Sequence, residues 1–121
     1  KRILPINLAA ERSIKVTLHA DQPMFPSEPF SLIHTAVNRK TKEGKTLGEE
    51  YAIDVYKALE SLTINAAWQV KMEDKLGSIT KGKYADLIIL DQNPLDIDKN
   101  NLRNIKVVDT YVHGNKVNLN P

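Results

Sequence analysis

The sequence contains no cysteine. A disulfide scaffold, a thiolate zinc site and a thiol nucleophile are therefore all excluded. Aromatic residues are few, one Trp, four Tyr and two Phe. Trp68 and the tyrosines do not interleave with basic side chains, so a stacking platform for single-stranded nucleic acid is unsupported. Charge of one sign is also lacking, with 17 Lys+Arg against 15 Asp+Glu. Residues 1–40 carry six basic and three acidic side chains, 41–85 seven and seven, and 86–121 four and five. No segment is loaded as in a nucleic-acid binder, and nucleic acid is not an expected partner.

Long apolar runs are missing too. Nothing approaches the roughly 20 residues of a membrane span, so no membrane partner is expected. The start, Lys1-Arg2-Ile3-Leu4-Pro5, has neither a long apolar stretch nor a cleavage-type site and is not read as a signal peptide. An initiator Met is absent, and the true beginning is expected to lie elsewhere. The lack of cysteine is compatible with a cytoplasmic location, which is the expectation. The 121 residues suffice for one core. They are too few for a complete (β/α)8 barrel, which needs roughly 250.

Residues 3–12 read as a short helix around Pro5. Ile14-Lys15-Val16-Thr17-Leu18 alternates apolar and polar, the period of a strand. It runs into the polar loop His19-Ala20-Asp21-Gln22-Pro23, which Pro23 and Pro26 keep from becoming helix. Ser27 is expected to cap the next helix, with Pro29 in its first turn and Phe30, Ile33 and Val37 as its apolar stripe. The charged stretch 40–48 reads as a loop. A second helix is expected to open with a capping box, Thr46 to Glu49, and to carry the stripe Ala52, Val55, Leu59, Leu62 and Ala66. After Gly77 the pattern turns to β. Ala85–Asp91 has a four-residue apolar centre, as in a strand covered on both faces. Asn93-Pro94 is a turn, Ile105–Val112 a second strand, and Gly114-Asn115 a tight hairpin turn.

Gly77-Ser78-Ile79-Thr80-Lys81-Gly82-Lys83 has most of a P-loop, but Tyr84 stands where Ser or Thr should hold Mg²⁺. A helix precedes it and a strand follows, the reverse of the phosphate-binding context, so it reads as a turn. His19 and Asp21 are the strongest chemical pair. Residues i and i+2 at a strand end share a side and can share a metal or an acid–base task. The plainer alternative is that Asp21 caps the turn before Pro23 and His19 is incidental. Two donors are also fewer than the three or four protein ligands of a zinc site. His34 reads as a packing residue of the first capped helix, and His113 as a solvated hairpin residue. Arg39 suits a helix C-terminus, with a substrate-facing role as the alternative. Asp86, Asp91, Asp96 and Asp98 lack calcium-loop spacing and read as solvated turn residues. No serine sits in a G-x-S-x-G elbow.

Several spaced blocks point further. They are Val16-Thr17-Leu18-His19-Ala20-Asp21-Gln22-Pro23, Ala36-Val37-Asn38-Arg39, Ala58-Leu59, and Leu62-Thr63-Ile64-Asn65-Ala66-Ala67. Gly77-Ser78-Ile79 with Gly82-Lys83, Ala85-Asp86-Leu87-Ile88-Ile89-Leu90-Asp91, and Val107 through Thr110 to Gly114 follow. In order and spacing the chain resembles the C-terminal part of the metal-dependent amidohydrolases, of the amidohydrolase family 3 branch. The resemblance implies an α/β fold, a C-terminal fragment of a (β/α)8 barrel plus strands of a composite β-sandwich. Residues 1–76 would be the last barrel elements, with Ile14–Leu18 as the final strand. Residues 77–121 would be the C-terminal contribution to the sandwich.

It also implies hydrolysis of carbon–nitrogen bonds in amides or cyclic amides, by water activated on a divalent metal, commonly zinc. Asp21 matches the family's carboxylate at the end of the last strand, which touches the metal and serves as general base. His19 has no family role assigned; it is either a further metal contact or support for Asp21. The other ligands of the family are absent. The fragment alone is expected to be inactive, to hold no stable metal, and to self-associate through exposed barrel surface. The competing reading is a non-catalytic binding or structural module derived from the same region.

Overall fold

Helix α1, Ile6–Glu11, follows Pro5 as expected and buries Ile6. The computed structural model describes residues 3–117. Lys1, Arg2 and residues 118–121, the outer ends of the two expected segments, lie outside the described residues.

Ile14–Leu18 is not part of any sheet among the described residues. A parallel strand is held by ladders to its neighbours, and no strand lies beside this one. Part of the period-two pattern survives without a ladder. Val16 and Leu18 pack on the core and Ala20 is buried, whereas Lys15 and His19 face outward. The segment is tied down by Asn65, whose Nδ2 donates to the Val16 carbonyl at 3.1 Å. Ile14 is left exposed.

Helix α2, Pro29–Asn38, places Pro29 in the first turn. Its N-cap is therefore Glu28 and not Ser27, because the capping position is the one just before the first helical residue. Ser31 Oγ donates to Glu28 Oε2 at 2.9 Å across that turn. Ile33, Ala36 and Val37 are buried. The helix stops at Arg39, whose φ of 53° turns the backbone left-handed.

The expected capping box at Thr46 does not form. Thr46 is extended and bridges Lys40, and Gly48 at φ 64° cannot lie inside a right-handed helix. Only a short 3₁₀ turn, Glu49–Tyr51, follows. Helix α3, Val55–Leu62, instead begins at Asp54, whose Oδ1 accepts the Lys57 backbone N–H at 2.7 Å. The long stripe is then broken at Thr63 (φ −119°, ψ −95°), and α4 runs from Ile64 to Gln69. Gly77 crosses this break. A Cβ there would lie 2.8 Å from both Ala67 Cβ and Ile64 Cα and 2.9 Å from the Thr63 carbonyl oxygen.

The β region forms a three-stranded antiparallel sheet in the order β1 (Leu87–Leu90), β2 (Val107–Val112), β3 (Asn115–Val117). Ile88 faces Thr110, and Val112 faces Asn115. The hairpin turn is thus His113-Gly114, one residue earlier than expected. Both have positive φ, 50° and 77°, the requirement of the mirror-image turns that suit hairpin twist. The turn is tied back to the start of β1: Gly114 N–H donates to the Ala85 carbonyl at 3.0 Å and His113 N–H to Asp86 Oδ1 at 2.7 Å. The expected two-sided cover of β1 is not present here, since Ile88 and Ile89 are 49% and 44% exposed.

The core joins both ends of the chain. Ile6, Ile33, Ala36, Val37, Ile53 and Ala58 meet Leu102 and Ile105. The last two come from the 3₁₀ helix Lys99–Asn104 and its C-cap, which pack on α2. Asn38 Nδ2 donates to the Lys99 carbonyl at 2.8 Å within that seam.

Candidate functional site

The alternation of residues 15–20 delivers His19 and Asp21 to an exposed loop, with buried Ala20 as the anchor between them. Their arrangement is not two side chains projecting side by side. Asp21 has φ 54°, so the extended geometry that puts i and i+2 on one side ends there. Its backbone N–H donates to His19 Nδ1 at 3.1 Å. The Met24 N–H donates to the Asp21 carbonyl at 2.9 Å, closing a turn across the cis Gln22–Pro23 peptide. Asp tolerates the left-handed region better than most residues because its short side chain competes with the backbone locally. Among the described residues its carboxylate makes no hydrogen bond or ion pair.

No group of three or more His, Asp or Glu that could hold a metal ion exists among the described residues. Among the described residues this loop presents the Asp21 carboxylate, without a partner, and the His19 imidazole, whose Nδ1 is already engaged. That donor set fits part of a four-coordinate shell and does not complete one.

The other candidates resolve into structural roles. His34 is buried on α2, and its Nδ1 has no partner among the described residues. Burial pushes its pKa below the ordinary histidine value, and the nearby charges of Arg103 and Lys40 push the same way. Arg39 reaches the Leu4 carbonyl through Nη2 at 3.4 Å, and its buried Nε is unpaired among the described residues. His113 lies against the Tyr84 ring at 4.5 Å. Asp86, Asp91, Asp96 and Asp98 each accept a hydrogen bond within a turn or between strand ends. For Asp98, the Asn100 backbone N–H and side chain hold the carboxyl below its usual range. The P-loop-like segment leads into β1, and Lys83 Nζ caps the Leu76 carbonyl at 3.2 Å. Two shallow clefts, of about 160 and 240 Å³, lie elsewhere, and neither is lined by His19 or Asp21.

With this geometry in place, comparison with known proteins is decisive on kinship. Residues 1–118 match the sequence profile of the amidohydrolase family. The chain belongs to the amidohydrolase family. This amidohydrolase chain is 34% identical over 113 residues to an N-substituted formamide deformylase of Arthrobacter pascens, covering 93% of the chain and 21% of that relative. It is 46% identical over 50 residues to a 5-methylthioadenosine/S-adenosylhomocysteine deaminase of Teredinibacter turnerae, covering 41% of the chain and 11% of the relative. An amidohydrolase of known structure from Thermotoga maritima superposes with a TM-score of 0.70 at 26% identity, over 93% of this chain and 25% of that one. The chain thus spans about a fifth of the deformylase and a quarter of the structural neighbour.

What sequence reasoning missed is the backbone link between His19 and Asp21. The signal for it was present: an Asp two residues before Pro in a polar loop is a turn-forming residue, and turns reverse side-chain direction.

Proposed function

We propose that this chain is the C-terminal portion of a hydrolase acting on non-peptide carbon–nitrogen bonds, with Asp21 as its contribution to a divalent-metal centre. The supporting observation is Asp21 itself: a carboxylate without a protein partner among the described residues, held on an anchored loop, inside a family match that spans residues 1–118. The names of its relatives, a deformylase and a deaminase, support the bond class.

The remaining metal ligands come from the rest of the longer protein. A divalent metal, when bound, would make its water more acidic and so supply hydroxide near neutral pH. Asp21 would take the proton from the attacking water at a carboxylate oxygen and return it to the leaving nitrogen. The substrate is a small amide-type molecule. In the same proposal residues 1–76 supply the last barrel elements, and residues 77–121 supply sandwich strands whose exposed apolar face is covered by the rest of the protein.

The 121-residue chain alone is expected to give no turnover of an N-substituted formamide with added zinc. In the longer protein, Asp21→Asn is expected to lower kcat by about 10²–10⁴-fold, the usual worth of a general base. Unchanged kcat in that variant would remove Asp21 from the chemistry, and turnover by the short chain would overturn its inactivity.

A further inference from the structure

We infer that His19 is a positioning residue for Asp21, not a metal ligand: its ring fixes the backbone conformation from which the Asp21 carboxylate departs. The inference rests on the reading of Asp21 just given. The chain holds Asp21 at φ 54°, a region that costs free energy for any residue with a Cβ. Three features offset that cost. Ala20 is anchored in the interior, the Met24 N–H binds the Asp21 carbonyl, and the Asp21 N–H binds His19 Nδ1. Of these, only the His19 contact comes from a side chain free to be something else.

The chemistry of the ring then sets this hydrogen bond against ligation. An imidazole nitrogen that accepts a hydrogen bond must carry its lone pair, so the neutral ring holds its proton on Nε2. Nε2 therefore has no lone pair to offer a metal. His19 can accept the Asp21 N–H or ligate through Nε2 as a neutral ring, but not both. An asparagine at position 19 should reproduce the first role, because its side-chain carbonyl reaches the N–H two residues on, as in an Asx turn.

The test uses the whole 121-residue chain and the longer protein in parallel. By ¹⁵N NMR, His19 should show an unprotonated Nδ1 and a protonated Nε2. Exchange of the Asp21 amide should be roughly two- to tenfold faster in His19→Ala, the worth of one hydrogen bond, and restored in His19→Asn. In the longer protein, His19→Ala should lower kcat with KM and metal content little changed, and His19→Asn should recover kcat. Asp21 amide exchange indifferent to His19→Ala, or metal lost from His19→Ala as from Asp21→Asn, would overturn the inference. Failure of Asp21→Asn to affect kcat would instead sink the reading of Asp21, with the amide measurement still standing.

Discussion

His34 carries a pH dependence that its neighbours make directional. It is 7% exposed, lies on the helix that packs against the 3₁₀ helix Lys99–Asn104, and feels the charges of Arg103 and Lys40. Its folded pKa lies below the ordinary value of 6.5. The unfolded chain therefore binds more protons in the window between the two, and stability falls as pH drops through about 6.5. Below the folded pKa the loss stops growing. Urea denaturation at a series of pH values should show this fall, and His34→Gln should remove His34's share of it. The two exposed carboxyls with lowered pKa, Glu43 and Asp98, act in a separate, more acidic window. That His34 packs and does not ligate was legible from its place in the first capped helix, but its burial was not. Its orphaned Nδ1 was not, because the cations beside it arrive from residues 40 and 103. Asp21 was legible as a turn residue for its chemistry but not for its φ, which only the folded loop specifies.

At the scale of elements, local signals competed and tertiary position chose between them. Thr46-x-x-Glu49 and Asp54-x-x-Lys57 are both credible helix starts. The first loses because Thr46 is drawn into its bridge with Lys40 and Gly48 adopts a left-handed φ. The second wins because Asp54 immediately precedes the residues whose stripe faces α2. Asp54→Ala should therefore cost about 1 kcal/mol, the usual worth of an N-cap. Thr46→Ala, which removes no cap, should cost clearly less in the same denaturant melts. Equal losses in the two would show that the cap assignment is wrong. The break at Thr63 escaped the sequence because Ala52 to Ala66 keeps helical spacing straight through it. Its companion is Gly77, fourteen positions on, and no local pattern links the two. The strands after Gly77 were legible as strands, because β-branched runs and a Gly hairpin are local features. The absence of a ladder at Ile14–Leu18 was not, since pairing depends on distant chain.

For the molecule as a whole, kinship was the most legible property, carried by blocks whose order and spacing run nearly end to end. The consequence for surface is less visible in a sequence. Ile88, Ile89, Val107, Val108 and Val112 are all at least 44% exposed on one small sheet, and the outer edge of β1 pairs with no strand among the described residues. Such edges recruit further chain. We expect the isolated chain to self-associate with rising concentration and to bind an apolar dye, and Ile88→Lys to weaken both. Light scattering that shows a monomer at all concentrations, with no dye signal, would contradict this. The seam between α2 and Lys99–Asn104 bears on something else, the way such a chain can be remade. Leu102 is wholly enclosed there, against a helix more than sixty positions earlier. Residues beyond Gly77 are consequently a poor cassette. A recombination event that exchanged them would succeed only if the incoming piece brought its own plug for the hollow beside Ile33.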